Sequence, residues 1–137
     1  MITVEYFDKK AWELYSENAH KIAFQERKPA SNDRIDFALM AIKEGTPMGY
    51  MTCRELEADT LYWQFGGAFP GTKGTTWSWW AYLAFVDWCR EKYKRVTTII
   101  ENTNLPMLKM AMKVGFRING TRFYAGSILV ELVLELK

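Results

Sequence analysis

Two stretches of this chain combine residue types whose spacing could do chemistry. The first, Pro70-Gly71-Thr72-Lys73-Gly74-Thr75-Thr76-Trp77-Ser78, sets a lysine among glycines and helix-capping threonines. Glycine lets a backbone turn sharply, and the first N–H groups of a helix have no intrahelical partner. Such a loop at a helix N-terminus receives phosphate oxygens, and a nearby lysine supplies charge. The Gly-Lys-Ser/Thr order of a Walker loop is absent. An ordinary strand-to-helix loop capped by threonine has the same composition, so the residues alone leave both readings open. The second stretch is Asn104-Leu105-Pro106-Met107-Leu108-Lys109-Met110-Ala111-Met112-Lys113-Val114-Gly115-Phe116. Asn104 is a helix cap here, Pro106 suits a first turn, and Gly115 stops the helix where a left-handed residue is needed.

Other chemistries lack the residues they require. A single histidine, His20, argues against a histidine-based triad or a multi-histidine metal centre, and no metal is expected. Cys53 and Cys89 show no metal spacing and read as small buried hydrophobes in a reducing, cytoplasmic interior. Glu57 and Glu101 are candidate general bases, and each fits equally well as a solvated carboxylate. Lysine and arginine number 18 and acidic residues 16, and a net charge of +2 gives no warrant for nucleic-acid binding. The longest apolar run, from Trp79 to Val86, falls far short of the roughly 20 residues that cross a bilayer. The opening Met1-Ile2-Thr3-Val4-Glu5 carries no basic start or apolar core, so no secretory signal is expected. Aromatic residues reach 15%, with six tryptophans, three of them at Trp77, Trp79 and Trp80. That surplus means either a heavy core or a tryptophan-rich surface for a protein partner.

The elements that must position these stretches follow from periodicity. The 137 residues suit one domain spanning 1–137. Ile2 to Phe7 alternates as a strand, Asp8 caps a helix, and Trp12, Tyr15, Ala19, Ile22 and Ala23 form its apolar stripe. Residues 28–33 form a loop. Ile35 to Lys43 and Met48 to Leu56 flank Glu44-Gly45-Thr46-Pro47, the chemistry of an antiparallel hairpin turn. Leu61 to Phe69 makes the third strand of the meander. A helix of about five turns runs from Thr75 or Thr76 to about Tyr93. It is followed by a β-branched strand at Val96 to Ile100, the Asn104 helix, and final strands at Phe116 to Tyr124 and Ile128 to Leu136. Strands joined across the long helix must be parallel, and ligands bind such sheets at the carboxyl ends of parallel strands. The segments to inspect are therefore Ala68 to Ser78 and Ile100 to Asn104.

The element order, the first loop and the second stretch together resemble the GNAT superfamily of acyl-CoA N-acyltransferases. That family carries an asparagine, a short helix, and Lys-x-Gly-Phe entering a strand, which Asn104, Lys113, Gly115 and Phe116 match. The resemblance implies an α+β domain with a twisted mixed sheet of about six to seven strands, in the order β-α-β-β-β-α-β-α-β-β. It also implies acetyl-CoA as co-substrate and a primary amine as acceptor. Lys73 takes the basic position of the family's pyrophosphate loop, Gly74 the glycine that commonly follows, and Thr75 the residue before the signature position. Thr76 stands at the first required glycine and Ser78 at the small terminal position. Asn104 would contact the pantetheine arm, and a backbone N–H near Ala68 and Phe69 would polarise the thioester carbonyl. Where many members place a tyrosine that protonates the leaving thiolate, this chain has Ala111. Tyr124 is the substitute on a neighbouring strand, and an Ala111→Tyr change is expected to raise turnover.

Two functions of different classes follow. One is transfer of an acetyl or other acyl group from CoA to a primary amine. The other is a non-catalytic structural or assembly role. Small bacteriophage virion and head-assembly components that look like GNAT domains with eroded loops are similar in type, and would place the chain in a virion. An enzyme keeps an open channel between the parallel strands, whereas an assembly protein can fill it and expose an apolar patch.

Overall fold

The computed structural model describes residues 2–15, 34–72 and 75–136. The chain opens with β1 (Ile2–Asp8), after which the Asp8 carboxylate accepts the Ala11 N–H at 2.8 Å. This is the expected N-cap of helix α1, described over residues 9–15. The remaining stripe residues Ala19, Ile22 and Ala23, His20 and the loop at 28–33 lie outside the described residues.

A meander follows, of β2 (Phe37–Lys43), β3 (Thr46–Leu56) and β4 (Thr60–Ala68). Positive φ at Glu44 and Gly45 closes the first hairpin, and at Ala58 and Asp59 the second. Then come α2 (Thr76–Arg90), β5 (Arg95–Glu101), α3 (Leu105–Val114), β6 (Arg117–Tyr124) and β7 (Ser127–Glu135). The described strands form one seven-stranded sheet in the order β1-β2-β3-β4-β5-β7-β6. Every pairing is antiparallel except β4 with β5, the pair joined across α2. This is the mixed α+β architecture expected from the element order.

Helices cover both faces. On one, α2 and α3 pack over Phe37, Leu39, Trp63, Val96 and Leu132. On the other, Trp12 of α1 packs with Ile35, Met40, Tyr50 and Phe69. Strand β2 is buried on both faces because its alternate residues feed the two clusters. Burying each large side chain of this kind stabilises by about 1.5–3 kcal/mol.

Several boundaries differ from the sequence reading: Thr46 and Pro47 belong to β3 rather than to the turn, Phe116 precedes β6 and Leu136 follows β7. Helix α2 stops at Arg90 rather than near Tyr93, because the Glu91, Lys92 and Tyr93 N–H groups all return to the Cys89 carbonyl. Ile35 is buried but precedes β2, which starts at Phe37. The inward face of α2 runs through Ala81, Tyr82, Phe85, Val86 and Cys89. Trp77 and Trp80 face outward, 41% and 51% exposed. The Lys43 ammonium stands 3.2 Å from the Trp77 ring centroid, and Lys113 stands 4.7 Å from that of Trp79. Cations cover these indole faces in place of the core. Cys53 and Cys89 are buried free thiols, as their type suggests.

Candidate active site at the splay of two parallel strands

Strands β4 and β5 pair over four rungs only, from Thr60 opposite Arg95 to Trp63 opposite Thr98. The Thr98 hydroxyl donates to the Trp63 carbonyl at 3.1 Å and closes the ladder. Beyond it β4 continues to Ala68 and β5 to Glu101 without pairing to each other. The divergence has a local cause. Trp63 lies opposite Cys53, but Phe65 lies opposite Thr52, so Gln64 is an extra residue in β4. Such a bulge bends its strand. Thr52 stitches the bulge closed: its Oγ1 accepts the Phe65 N–H at 3.0 Å and donates to the Phe65 carbonyl at 3.3 Å. Strand β4 therefore leaves with β3, while β5 stays paired to β7 from Arg95 to Glu101.

This divergence leaves backbone groups for a ligand. The Phe65 N–H goes to Thr52 and the Phe69 N–H to the Met48 carbonyl at 2.9 Å, both on the β3 side. Alternation along a strand then turns the N–H groups of Gly66 and Ala68 toward the gap. Buried Gln64 Oε1 has no hydrogen-bond partner among the described residues.

The structure does not bring all expected site residues to this gap. Phe69 is 5% exposed and packs on Tyr50, with ring centroids 6.0 Å apart, in the cluster under α1. With its N–H already bonded, it has no donor left for a thioester carbonyl. Lys73 and Gly74 lie outside the described residues. Thr75 is the N-cap of α2, its hydroxyl accepting the Trp77 N–H at 3.2 Å and donating to the Thr72 carbonyl at 2.6 Å. The Thr75 carbonyl takes the Ser78 hydroxyl at 2.7 Å and the Ser78 N–H at 3.2 Å. The Thr76 N–H is thus the first-turn donor left over among the described residues. Threonine capping occupies positions that a phosphate would otherwise take.

At the same end of the sheet, Asn104 caps α3, its Oδ1 accepting the Met107 N–H at 3.4 Å. Its own N–H donates to the carbonyl of Glu101, the last residue of β5, at 3.0 Å. Gly115 ends α3 at φ 122°, its N–H reaching the Ala111 and Met112 carbonyls. Glu101 is exposed at the splayed end. Glu57 is not there: it lies in the turn before Thr60, at the opposite end of β4. Tyr124 is also excluded, because it is 68% exposed on edge strand β6 with β7 between it and β5. Ala111 is fully buried in the core under α2, together with Trp63, Tyr82 and Phe116.

Burial alone pushes the Tyr82 hydroxyl well above its ordinary range. Burial pushes the Cys89 thiol up to about 12, with the Trp63 indole and Lys92 pulling the other way. Neither is an ionised nucleophile at neutral pH. Among the described residues, no cluster of His, Cys, Asp and Glu could hold a metal ion, and no helix is long and apolar enough to cross a membrane. Sequence reasoning did not find Thr52, Gln64, Thr98 or Tyr82. The readable signal for the bulge was Gly66-Gly67 inside a strand pattern.

No protein-family model and no curated protein matches this chain. Solved structures do match it along its length. The ribosomal-protein-S18-alanine N-acetyltransferase of Escherichia coli superposes with a TM-score of 0.75 at 10% identity, covering 99% of this chain and 94% of that one. A GNAT-family protein of Desulfovibrio desulfuricans gives 0.75 at 11% identity, with full coverage of both chains. Salmonella typhimurium yncA, solved with its cofactor acetyl-CoA, gives 0.67 at 16% identity, over 99% of this chain and 94% of that one. These superpositions over nearly the whole chain show that it has the fold of the GNAT acetyltransferases.

Proposed function

We propose that the protein transfers an acyl group from acyl-CoA to a primary amine. The observation that carries this reading is the four-rung ladder that opens into a gap, toward which alternation along β4 turns the N–H groups of Gly66 and Ala68. Two successive outward N–H groups on one strand suit the amide-rich pantetheine arm, which can pair with them as an added strand would. One of them, near the splay, can polarise the thioester carbonyl. Asn104 sits at the mouth of the gap, and the α2 N-terminus with Lys73 and Gly74 receives the pyrophosphate. The amine nitrogen attacks the acyl carbon, a C–N bond forms, the C–S bond breaks, and CoA leaves as the thiol. Alignment of the two reactants supplies much of the rate. The acetyl-CoA in the similarly folded yncA supports this choice of acyl donor.

An assembly protein can fill the gap and expose an apolar patch. The strands instead part, and lysines stand over Trp77 and Trp79, which leaves Trp80 as the exposed indole of the three without a cation over it among the described residues. A thermal-shift titration with CoA and acetyl-CoA tests the enzyme reading. A ligand at a hundred times its Kd stabilises by about 2.7 kcal/mol. Thiol release from acetyl-CoA across a panel of primary amines then reports turnover. No CoA-induced shift and no amine-dependent thiol release would sink the enzyme reading and leave the assembly role.

A further inference from the structure

We infer that the outer edge of β6 is an interface with a second copy of this chain, the two β6 strands pairing antiparallel about Thr121. Such a contact joins two seven-stranded sheets edge to edge, and it stands whether or not the chain transfers acyl groups.

Strand β6 closes the described sheet on the side away from β1, and no described strand pairs with its outer backbone. Proteins blunt such edges with lysine, proline or a covering element, because unpaired N–H and C=O groups recruit another strand. Strand β6 has neither lysine nor proline, and every residue in it except Gly120 is exposed. Ile118 is 54% exposed and Phe123 76%. These two lie five residues apart, so plain alternation would send them to opposite faces. A bulge corrects the phase: Ile118 lies opposite Leu132 and Gly120 opposite Glu131, which leaves Asn119 as an extra residue. Thr121 and Phe123 then lie opposite Val130 and Ile128, on the face where Val130 and Leu132 enter the core under α2 and α3. Ile118, Thr121 and Phe123 therefore form one exposed row at the margin of that face.

The row is complementary to itself. A two-fold axis beside Thr121 sets that residue against its own copy, a favourable cross-strand pair. With Asn119 skipped again, as it is against β7, the axis sets Ile118 against Phe123 of the second copy on the core face. On the other face it sets Gly120 against Arg122, and Arg117 against Tyr124, where a guanidinium can lie on a ring. The missing side chain of Gly120 gives Arg122 of the second copy room to face Glu131 across the glycine. Glu131 already holds the Arg122 of its own chain at 2.8 Å, so each of these arginines meets a carboxylate. The other edge strand lacks this property. Strand β1 is centred on Glu5, which self-pairing would set against its own copy, and its Ile2 and Val4 are already packed on the core. Like charges directly opposite are destabilising. The partner that fits β6 is a second β6.

Sedimentation velocity of the full chain over a range of concentrations tests this interface. The expected result is a reversible monomer–dimer equilibrium, the monomer being 16.0 kDa. Thr121 is exposed, so Thr121→Lys should keep the circular dichroism spectrum of wild type. It sets an ammonium against its own copy and should weaken the dimer at least about tenfold. Oxidation then reads the register. Residues directly opposite in an antiparallel pair have Cα atoms about 4.5–5.5 Å apart, within the span of a disulfide. Thr121→Cys should therefore give a covalent dimer when a mild oxidant takes the two thiol hydrogens. Phe123→Cys, displaced along the strand from its own copy, should not. Cys53 and Cys89 are buried and do not compete. A wild type that stays monomeric at every concentration overturns the interface. A dimer that survives Thr121→Lys, or that links through Phe123→Cys and not through Thr121→Cys, also overturns it, by placing the contact on another surface or in another register. Each of these outcomes leaves the transferase reading untouched.

Discussion

A phenol, an alanine and an asparagine decide most of what single residues can do here. Tyr50 is buried, and desolvation raises its pKa from 10.0 to about 12. Below pH 10 it is neutral both folded and unfolded, so it adds no pH dependence. Above pH 10 the unfolded chain releases the proton first, the native state binds more protons, and stability falls as pH rises toward 12. Each such group steepens the loss by up to about 1.4 kcal/mol per pH unit. Urea unfolding between pH 9 and 12 should show a shallower decline for Tyr50→Phe than for wild type; parallel declines would remove Tyr50 as a source. Ala111 is the other informative side chain. Its complete burial against a packed core reverses the expectation that Ala111→Tyr restores turnover. A ring forced into that space overpacks it at a cost of about 1–3 kcal/mol. The expected outcome is a lower Tm without a gain in rate, and a stable, faster variant would show room that the packing denies. Asn104 behaves as its sequence context says, because capping is local chemistry between a side chain and an N–H three residues away.

Between elements, the gap depends on where β4 stops following β5. Thr52 holds the bulge that turns β4 aside, with one hydroxyl serving both the N–H and the carbonyl of Phe65. Thr52→Val keeps the shape but leaves the part-buried N–H of Phe65 without this acceptor, so the cost falls toward the low end of the range for a buried donor. An unsatisfied buried donor costs about 1–3 kcal/mol. The variant should melt earlier and also bind CoA less well, because β4 can relax back toward β5 and narrow the gap. Calorimetric titration with CoA at a temperature where both proteins are folded separates the two effects. Unchanged CoA affinity in a destabilised variant would mean that the bulge supports the sheet and not the site.

Across the whole molecule, the helix N-terminus of α2 and the open ends of β4 and β5 lie together because the sole parallel pair in the described sheet is crossed by α2. Charge then sets affinity. On the proposed function, with Lys73 as a pyrophosphate ligand, CoA should bind less tightly as salt is added, since exposed charge pairs are screened. Lys73→Ala should weaken CoA more than a pantetheine fragment lacking the pyrophosphate. Equal losses for both ligands would place Lys73 away from the phosphates.

The sequence by itself determined the element order, the α3 cap at Asn104, its stop at Gly115 and the parallel step across α2, since each depends on residues close together in the chain. Hairpin chemistry at Glu44-Gly45 and alternation in β7 were legible for the same reason. Only the tertiary structure decided which donors remain free. Phe69 lost its N–H to Met48, Thr75 spent its hydroxyl on the α2 cap, and Tyr124 went to the sheet's edge. Tyr82 of α2 came to rest against Trp63, the last rung of the ladder. Hydrogen-bond partners 13 or 35 residues apart, such as Thr52 with Phe65 and Thr98 with Trp63, are set by strand register and by a bulge. Register is a property of paired strands and leaves no periodic trace in either strand alone.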